Sequence, residues 1–376
     1  MTVPSNALPD SRASAGAFVH NDIHLIHATS PEIIKRTWNN TRIEWGRTYD
    51  ADTYTARETL LSSQDFTNNG KLKVWILVPK TFDSANPDLD LILSSVESFE
   101  RPGVVATKEQ GVRDVLSVSV ATVFTPAHYR GNGYASLMMK LLWKEIEKMD
   151  GVSFTFLYSD VGPTFYGRVG WTPRRSDEIV IPASPSLAVA VGHSATLENV
   201  TDQNLSELVE RDAQLLRETL QAQLDSSSSE DKVLVAAMPE INCINWLHAR
   251  SRFTAKHGLK LEQPQIAVLG AKDTQSDSFI LWYHDLLNNQ LYVIRWRLDA
   301  NAGSKAARAL VQAAQAEAQK WNLEKVMIWN PEQSLVDILG LEIKYREDSI
   351  PCLGLVNSMQ DTNNVEWLLN EKYAWC

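Results

Sequence analysis

The chain has 376 residues, of which 44% are hydrophobic and 22% are charged; at roughly 100 to 200 residues per domain, this length suits about two domains. The composition excludes a small disulfide-stapled module and a largely disordered chain. The formal net charge is -10, from 36 Lys+Arg against 46 Asp+Glu. This balance argues against nucleic acid or an anionic membrane as the partner, and it favours a cationic small substrate.

The sequence shows neither a recognisable targeting signal nor a cysteine motif. Residues 1–20 are rich in Ser, Ala and Pro and lack the apolar run of a signal peptide, so we expect a disordered tail there. Cys243, Cys352 and Cys376 lie far apart and form no C-x-x-C pair, which predicts neither disulfides nor a zinc site. We expect a cytoplasmic protein, because no stretch approaches roughly 18 consecutive apolar residues.

The first half alternates strands and helices, and we assign residues 21–185 to one α/β domain. Apolar residues that alternate with a period of two predict the strands, and an apolar stripe with helical spacing predicts the main helix. The predicted elements are a strand at Ile23 to His27, a helical region from Pro31 to about Phe66, strands at Lys71 to Pro79, Leu89 to Phe99 and Val115 to Phe124, a helix from Gly133 to Lys148, a strand at Val152 to Tyr158, a short helix from Pro163 to Val169 and a final strand at Glu178 to Ile181.

The second half, residues 193–376, repeats the element order of residues 89–182. Its predicted elements are a helix from Asp202 to about Leu224, a hairpin of Phe279 to Leu287 and Leu291 to Leu298, a helix from Lys305 to Lys320, a strand at Lys325 to Trp329, a short helix that ends at Gly340, and another strand. We interpret this order as a degenerate internal repeat. The alternative is that strand–helix–strand order recurs by chance in α/β proteins.

The sharpest motif is Arg130-Gly131-Asn132-Gly133-Tyr134-Ala135, between the end of a predicted strand and the first turn of a helix. Glycines allow a tight turn that points successive N–H groups outward, and the helix N-terminus adds partial positive charge, so the segment suits a pyrophosphate. It lacks the Lys-Ser/Thr of nucleotide kinases and the G-x-G-x-x-G order of dinucleotide sites. Considered alone, the same pattern is also typical of a surface turn.

The surroundings of this loop decide between the two interpretations. Residues 123–135 (VFTPAHYRGNGYA) resemble the acetyl-CoA loop of the GNAT superfamily, Gln/Arg-x-x-Gly-x-Gly/Ala, and residues 165–171 (FYGRVGW) resemble its aromatic-Tyr-x-x-x-Gly-aromatic signature. The chain also resembles the fungal lysine N6-acetyltransferases of lysine catabolism. The resemblance lies in the segments SVATVFTPAHYRGNGYASLMM and LYSDVGPTFYGRVGW and in the long C-terminal extension.

This resemblance implies a GNAT fold, which has a mixed, mostly antiparallel central sheet with flanking helices. It makes the second domain a degenerate GNAT-like α/β copy. The implied reaction converts acetyl-CoA and L-lysine into N6-acetyl-L-lysine and CoA, by direct attack in a ternary complex and without a metal. The alternatives are the same chemistry on another amine, such as a polyamine or a peptide lysine, and a CoA-binding protein without turnover.

The resemblance also assigns site residues. Tyr166 matches the family's general-acid tyrosine, although a tyrosine beside Phe165 is also typical of a core. Ser159 stands where many members carry an Asn beside the pantetheine arm. The backbone before the loop is expected to face the thioester, and the loop to bind the pyrophosphate. The implied cofactor-binding residues are Val123, Phe124, Thr125, Arg130, Gly131, Asn132, Gly133, Tyr134, Ala135 and Ser159.

An attacking lysine ammonium must first lose a proton, which requires a base or a water relay. Glu97, on a strand that should neighbour Val115 to Phe124, is our first candidate; its alternative is an ordinary solvent-facing strand acid. Further candidates are Glu100, Asp160 and His128.

An amino-acid acceptor also presents a carboxylate, which a guanidinium binds best. Arg101, Arg113 and Arg168 are the candidates, and we select Arg101 and Asp160 for the substrate site. The second half lacks the glycine loop, so we expect it to cover the acceptor side of the first. The apolar tail, residues 373–376, is expected to dock into the core.

Overall fold

The computed structural model describes residues 18–46, 48–184, 197–261, 266–299, 302–356 and 364–376. Most of the predicted N-terminal tail, residues 1–17, lies outside this range. Phe18 and His20 are described and lie on the glycine loop: the Phe18 N–H donates to the Tyr134 hydroxyl at 2.9 Å, and His20 Nε2 lies 3.0 Å from the Asn132 carbonyl oxygen.

The described residues form α-helices and β-strands that alternate through both halves of the chain. The helices are α1 (Pro31–Trp45), α2 (Ala51–Ser62), α3 (Tyr134–Ile146), α4 (Thr164–Gly167), α5 (Leu205–Ser226), α6 (Ile241–Phe253), α7 (Gly303–Lys320) and α8 (Gln333–Leu339). The strands are β1 (Ile23–Ala28), β2 (Leu72–Pro79), β3 (Ser94–Thr107), β4 (Gly111–Phe124), β5 (Val152–Ser159), β6 (Thr172–Pro173), β7 (Asp177–Pro182), β8 (Leu197–Val200), β9 (Val233–Ala237), β10 (Gly270–Asp273), β11 (Phe279–Asp285), β12 (Gln290–Arg297), β13 (Lys325–Trp329), β14 (Lys344–Tyr345), β15 (Ile350–Leu355) and β16 (Val365–Trp367).

Several predicted boundaries differ from the structure, and at two of them an aspartate side chain bonds to nearby backbone. The predicted helical region from Pro31 is divided into α1 and α2, since Asp50 caps α2 by accepting a hydrogen bond from the Thr53 N–H at 2.7 Å. Asp88 accepts from the Asp90 N–H at the start of a short 3-10 turn, so that β3 begins at Ser94 instead of Leu89.

The first sheet has the strand order β1-β2-β3-β4-β5-β15-β6, and β9 and β16 extend it through the second half of β3. β4 and β5 are parallel, as expected for strands joined by helix α3, and their recorded pairing ends at Val120↔Leu157. Ala121 and Phe124 of β4, beyond that pair, are paired with β3 and not with β5.

A β-bulge lies in the same part of β4. The β3–β4 register passes from Glu97↔Ala121 to Ser95↔Phe124, which leaves one extra residue on β4, and Thr122 has φ +55°. Bulges of this kind redirect the backbone and often occur beside active sites. The bulge therefore changes the course of β4 just before the glycine loop.

The second sheet has the order β14-β7-β13-β12-β11-β10-β8 and repeats the central pattern of the first. The parallel pair β12–β13 flanks helix α7 as β4–β5 flanks α3. The strand predicted at Glu178 to Ile181 exists as β7, but it pairs with β13 of the second sheet, and β15 from the second half pairs with β5 of the first. The first sheet thus contains three strands from the second half of the chain, β9, β15 and β16, and the second sheet contains one strand from the first half, β7.

One hydrophobic cluster runs across both sheets and includes Phe154 and Phe156 of β5 together with Leu281 and Val293 of the second sheet. The predicted docking of the C-terminal tail is confirmed, because Tyr373 and Ala374 are fully buried. Among the described residues, no helix combines the length and the apolar character needed to cross a membrane.

Candidate active site

The glycine loop lies between the end of β4 and the start of α3, as predicted. Gly131 has φ +85° and Gly133, the residue before α3, has φ +76°, a region that side chains with a Cβ rarely adopt. Arg130 is half-exposed; it donates to the Thr125 carbonyl oxygen at 3.0 Å and forms a 3.0 Å ion pair with Glu44. The loop therefore presents backbone N–H groups and a guanidinium at a helix N-terminus.

A cleft of about 450 Å³ runs along this loop. Seven of the ten predicted cofactor-binding residues line it: Val123, Thr125, Arg130, Gly131, Gly133, Tyr134 and Ala135.

The other three predicted cofactor-binding residues do not line the cleft. Phe124 is buried against Trp45. The Asn132 amide donates to the Tyr129 carbonyl oxygen at 3.0 Å. The Ser159 hydroxyl donates to the Gly162 carbonyl oxygen at 2.7 Å, so this buried side chain holds the turn after β5 instead of facing a pantetheine arm.

Tyr166 also lines this cleft, beside Phe165 and Val161. Its side chain is buried, and burial, followed by the charge of Asp160, raises the pKa of the phenol above its ordinary value. The phenol therefore keeps its proton at neutral pH and can donate it to a strongly basic atom.

A second, narrower cavity of about 100 Å³ has lining residues that are next to those of the cleft along the chain. On β4, Thr122 lines the cavity and Val123 lines the cleft; after β5, Asp160 lines the cavity and Val161 lines the cleft. The residues that line the cavity are Trp38, Thr41, Trp45, Tyr54, Arg57, Glu58, Glu97, Phe99, Val120, Ala121, Thr122, Tyr158, Asp160, Trp246, Arg250, Trp375 and Cys376. The second half contributes Trp246, Arg250, Trp375 and Cys376.

Glu97 faces this cavity and is only 8% exposed, unlike an ordinary solvent-facing strand acid. Its carboxylate accepts hydrogen bonds from Trp38 Nε1 at 3.2 Å and from the Thr122 hydroxyl at 2.7 Å. Burial, and next the charge of Glu58, raise the pKa of Glu97 from 4.5 to about 7. A carboxylate with this pKa can accept a proton near neutral pH.

The other base candidates lie differently. Asp160 lines the cavity, but its carboxylate accepts from the Ser349 N–H at 2.9 Å and is exposed. Glu100 and His128 do not line the cavity; the His128 ring is exposed and packs on Tyr129.

The predicted substrate role of Arg101 is not supported by its position. Its guanidinium is fully buried, donates to the Ala374 carbonyl oxygen at 2.6 Å and lies 3.1 Å from Cys243 Sγ. It lines neither the cleft nor the cavity, so it holds the C-terminal tail in place. Arg113 and Arg168 are exposed residues outside the cavity.

The guanidiniums that do line the cavity belong to Arg57 and Arg250. Sequence motifs gave no signal for either, or for Trp38 and Trp375, because these residues come from separate helices and from the tail. Helical spacing offered a partial signal, since Trp246 and Arg250 are four residues apart on α6 and therefore share a face. Among the described residues, no group of three or more His, Cys, Asp or Glu side chains could hold a metal ion.

Comparisons with known proteins agree with this arrangement. A family model described as "LYC1 GNAT-like C-terminal domain" matches residues 179–376, and one described as "Acetyltransferase (GNAT) domain" matches residues 105–174. A protein of Yarrowia lipolytica named "Lysine acetyltransferase" is 25% identical over 407 aligned residues, which cover 93% of this chain and 98% of that protein.

Two solved structures have a similar fold. A probable N-acyltransferase from Enterococcus faecalis matches with a TM-score of 0.55 at 13% identity, over 89% of this chain and 72% of its own. A GCN5-related N-acetyltransferase from Kribbella flavida matches with a TM-score of 0.53 at 16% identity, over 89% of this chain and 71% of its own. At such identities the likeness concerns the fold alone.

Proposed function

Because this chain belongs to the GNAT acetyltransferase family that carries the LYC1 GNAT-like C-terminal domain, we propose that it transfers the acetyl group of acetyl-CoA to the side-chain amine of free L-lysine. The products are N6-acetyl-L-lysine and CoA. The name of the Yarrowia lipolytica relative supports lysine as the acceptor.

The observation that carries this proposal is that consecutive residues line the cleft and the narrow cavity, at the bulged end of β4 and again after β5. The cleft with the glycine loop suits the pyrophosphate and thioester of acetyl-CoA, and the narrow cavity suits the acceptor. At about 100 Å³, the narrow cavity is well below the roughly 300 to 1,000 Å³ of typical ligand pockets. It therefore favours a small amine over a peptide, and the consecutive lining residues of cavity and cleft favour direct transfer between two bound substrates.

The acceptor must lose a proton before it attacks. For an ammonium of pKa about 10.4, deprotonation near pH 7.4 costs about 4 kcal/mol in water. Glu97 supplies the base, since its raised pKa of about 7 lets it take this proton, and its bonds to Trp38 and Thr122 fix its orientation. The substrate's own positive charge favours the ionised carboxylate as it approaches.

The amine nitrogen then attacks the thioester carbonyl carbon, a C–N bond forms, and the C–S bond breaks. Backbone N–H groups of Val123 to Thr125 are the expected donors to the developing oxyanion, where one donor typically contributes about 3 kcal/mol. Tyr166, buried at the edge of the cleft, donates its proton to the departing CoA thiolate and regains one from the acceptor nitrogen, which must lose its second proton to become the amide.

The test is to mix the protein with acetyl-CoA and single amines, and to follow release of free thiol. We expect rapid release with L-lysine, and slow release with spermidine, putrescine and a lysine-containing peptide. Equal rates with polyamines or the peptide would refute lysine as the substrate. Binding of acetyl-CoA without thiol release from any amine would instead identify a CoA-binding protein without turnover.

A further inference from the structure

Arg250 on α6 lines the acceptor cavity, and no other described residue forms a hydrogen bond or an ion pair with its guanidinium. The guanidinium carbon lies 5.1 Å from the centre of the Trp375 ring, over its face. A guanidinium carries five N–H donors. Arg250 is half-buried at the cavity wall, and donors that no described residue takes up can bind an anionic group of a ligand in the cavity.

The neighbouring guanidiniums differ from Arg250 in this respect. Arg57, which lines the same cavity, donates through Nε and Nη2 to Glu58 at 2.8 and 2.5 Å. Arg252, two residues beyond Arg250 on α6, pairs with Asp202 at 2.7 Å on the surface. Of the two guanidiniums that line the cavity, Arg250 is thus the one without a hydrogen-bonded or ion-paired partner among the described residues.

The electrostatic surroundings keep Arg250 charged without neutralising it by contact. Burial acts to lower the pKa of Arg250, but Tyr283, Glu58 and Asp285 more than offset this, and the net pKa is raised. Neither of these two carboxylates forms an ion pair with it. A permanent cation that faces a small cavity suits a carboxylate, because a guanidinium binds one with two parallel hydrogen bonds.

We propose that Arg250 binds the α-carboxylate of the acceptor amino acid and is the residue that selects a free amino acid over a plain amine. This inference rests on the proposed function, since it assumes an acceptor with a carboxylate. Glu97 accepts the proton of the acceptor's side-chain amine, and Arg250 binds the acceptor's α-carboxylate. Trp375 holds the guanidinium plane in place, so the second half of the chain supplies this part of the specificity.

The first experiment compares L-lysine with 1,5-diaminopentane, which is lysine without its α-carboxylate. In Arg250→Gln we expect KM for L-lysine to rise by at least about 30-fold with a much smaller change in kcat. The kcat/KM for 1,5-diaminopentane should stay within about threefold of wild type, since this amine never used the guanidinium. Arg250→Lys keeps the charge but cannot form two parallel hydrogen bonds to a carboxylate. Its KM for L-lysine should therefore lie between those of wild type and Arg250→Gln.

Arg252→Gln is the matched control, because it removes a guanidinium from the same helix that does not line the cavity. Arg252→Gln should leave KM and kcat unchanged for both L-lysine and 1,5-diaminopentane. Equal affinity for CoA in all variants would show that the fold is kept. If Arg250→Gln weakened both amines equally, or neither, the assignment of the carboxylate would be overturned.

A second measurement separates this inference from the proposed function, because it needs no turnover. N6-acetyl-L-lysine and N-acetyl-1,5-diaminopentane are titrated into the protein with CoA present, and heat of binding is recorded. We expect wild type to prefer the ligand with the carboxylate by at least about 30-fold, and Arg250→Gln to lose that preference. No preference in wild type would overturn the inference. If the preference held while no thiol were released with L-lysine, the proposed function would fail and the role of Arg250 would stand.

Discussion

Glu97 illustrates how one buried side chain links the chemistry of the site to the stability of the protein. Its pKa of about 7, against 4.5 for an ordinary glutamate, means that the folded protein favours the protonated form. A raised pKa gives stability that is fully present below about pH 4.5 and is lost as the pH rises through about 7. The same environment that prepares the base therefore costs stability at the pH where the base works.

We predict that Glu97→Gln removes this pH dependence. The shift from 4.5 to about 7 corresponds to about 3 kcal/mol. The stability of the variant relative to wild type should therefore rise by about this amount between about pH 5 and about pH 8. Urea unfolding at the two pH values measures the difference, while turnover with L-lysine should fall at least about 100-fold.

Glu100→Gln is the control for this prediction, since Glu100 lies on the same strand and does not line the acceptor cavity. It should keep wild-type turnover. A constant stability difference between Glu97→Gln and wild type across the two pH values would mean that Glu97 is ionised in the folded protein. In that case it could not be the base we describe.

Sequence alone indicated some of these residues and not others. Glu97 could be proposed because a strand next to the glycine loop limits which acids can reach the reacting atoms. Arg250 could not be proposed from sequence, because it lies on a helix in the other half of the chain. Local residue spacing does not predict which distant segments come together in the fold. Arg101 was predicted to bind the acceptor because a carboxylate needs a guanidinium, whereas the fold buries it against the Ala374 carbonyl oxygen.

At the level of elements, the glycine loop and helix α3 form a unit that can be tested by charge alone. Gly133 has φ +76°, and a Cβ built there would lie 3.4 Å from His20 Cε1. Asn and Asp both tolerate this backbone region better than other residues with a Cβ. We predict that Gly133→Asp binds CoA at least about fivefold more weakly than Gly133→Asn, since a carboxylate about 4 Å from a phosphate costs about 1 kcal/mol even in water.

Titration of CoA into the two variants measures this difference, and added salt should reduce it. Both should unfold at similar temperatures, because they share the same backbone cost. Equal affinities would mean that the pyrophosphate does not lie at this helix N-terminus.

The elements themselves were largely predictable, but their partners were not. Apolar periodicity gave the strand Lys325 to Trp329 and the helix that ends at Gly340 with nearly the observed bounds, and the predicted GNAT fold with a second GNAT-like domain is confirmed. The strand at Glu178 to Ile181 was also predicted, but as part of the first domain, whereas in the structure it pairs with β13 of the second sheet. Apolar residues at every second position indicate a half-buried strand. They do not indicate which of two similar sheets the strand joins.

For the whole molecule, the exchanged strands mean that neither sheet is complete within one half of the chain. β15 completes the first sheet from the second half, and β7 joins the second sheet from the first. The hydrophobic cluster that contains Phe154 and Leu281 continues through both sheets. We therefore expect the two halves to unfold together, in contrast to a pair of domains joined by a linker.

Gly354 in β15 allows this cooperativity to be tested, because a Cβ there would lie 2.5 Å from Trp143 ring carbons. We predict that Gly354→Ala lowers the free energy of unfolding by about 1 to 3 kcal/mol through overpacking. Hydrogen exchange should become faster by a similar factor in β2 of the first sheet and in β12 of the second. Gly167→Ala is the control, since its Cβ would meet only Pro173 Cδ, at 3.9 Å. Faster exchange confined to the first sheet would show that the halves unfold independently despite the exchanged strands.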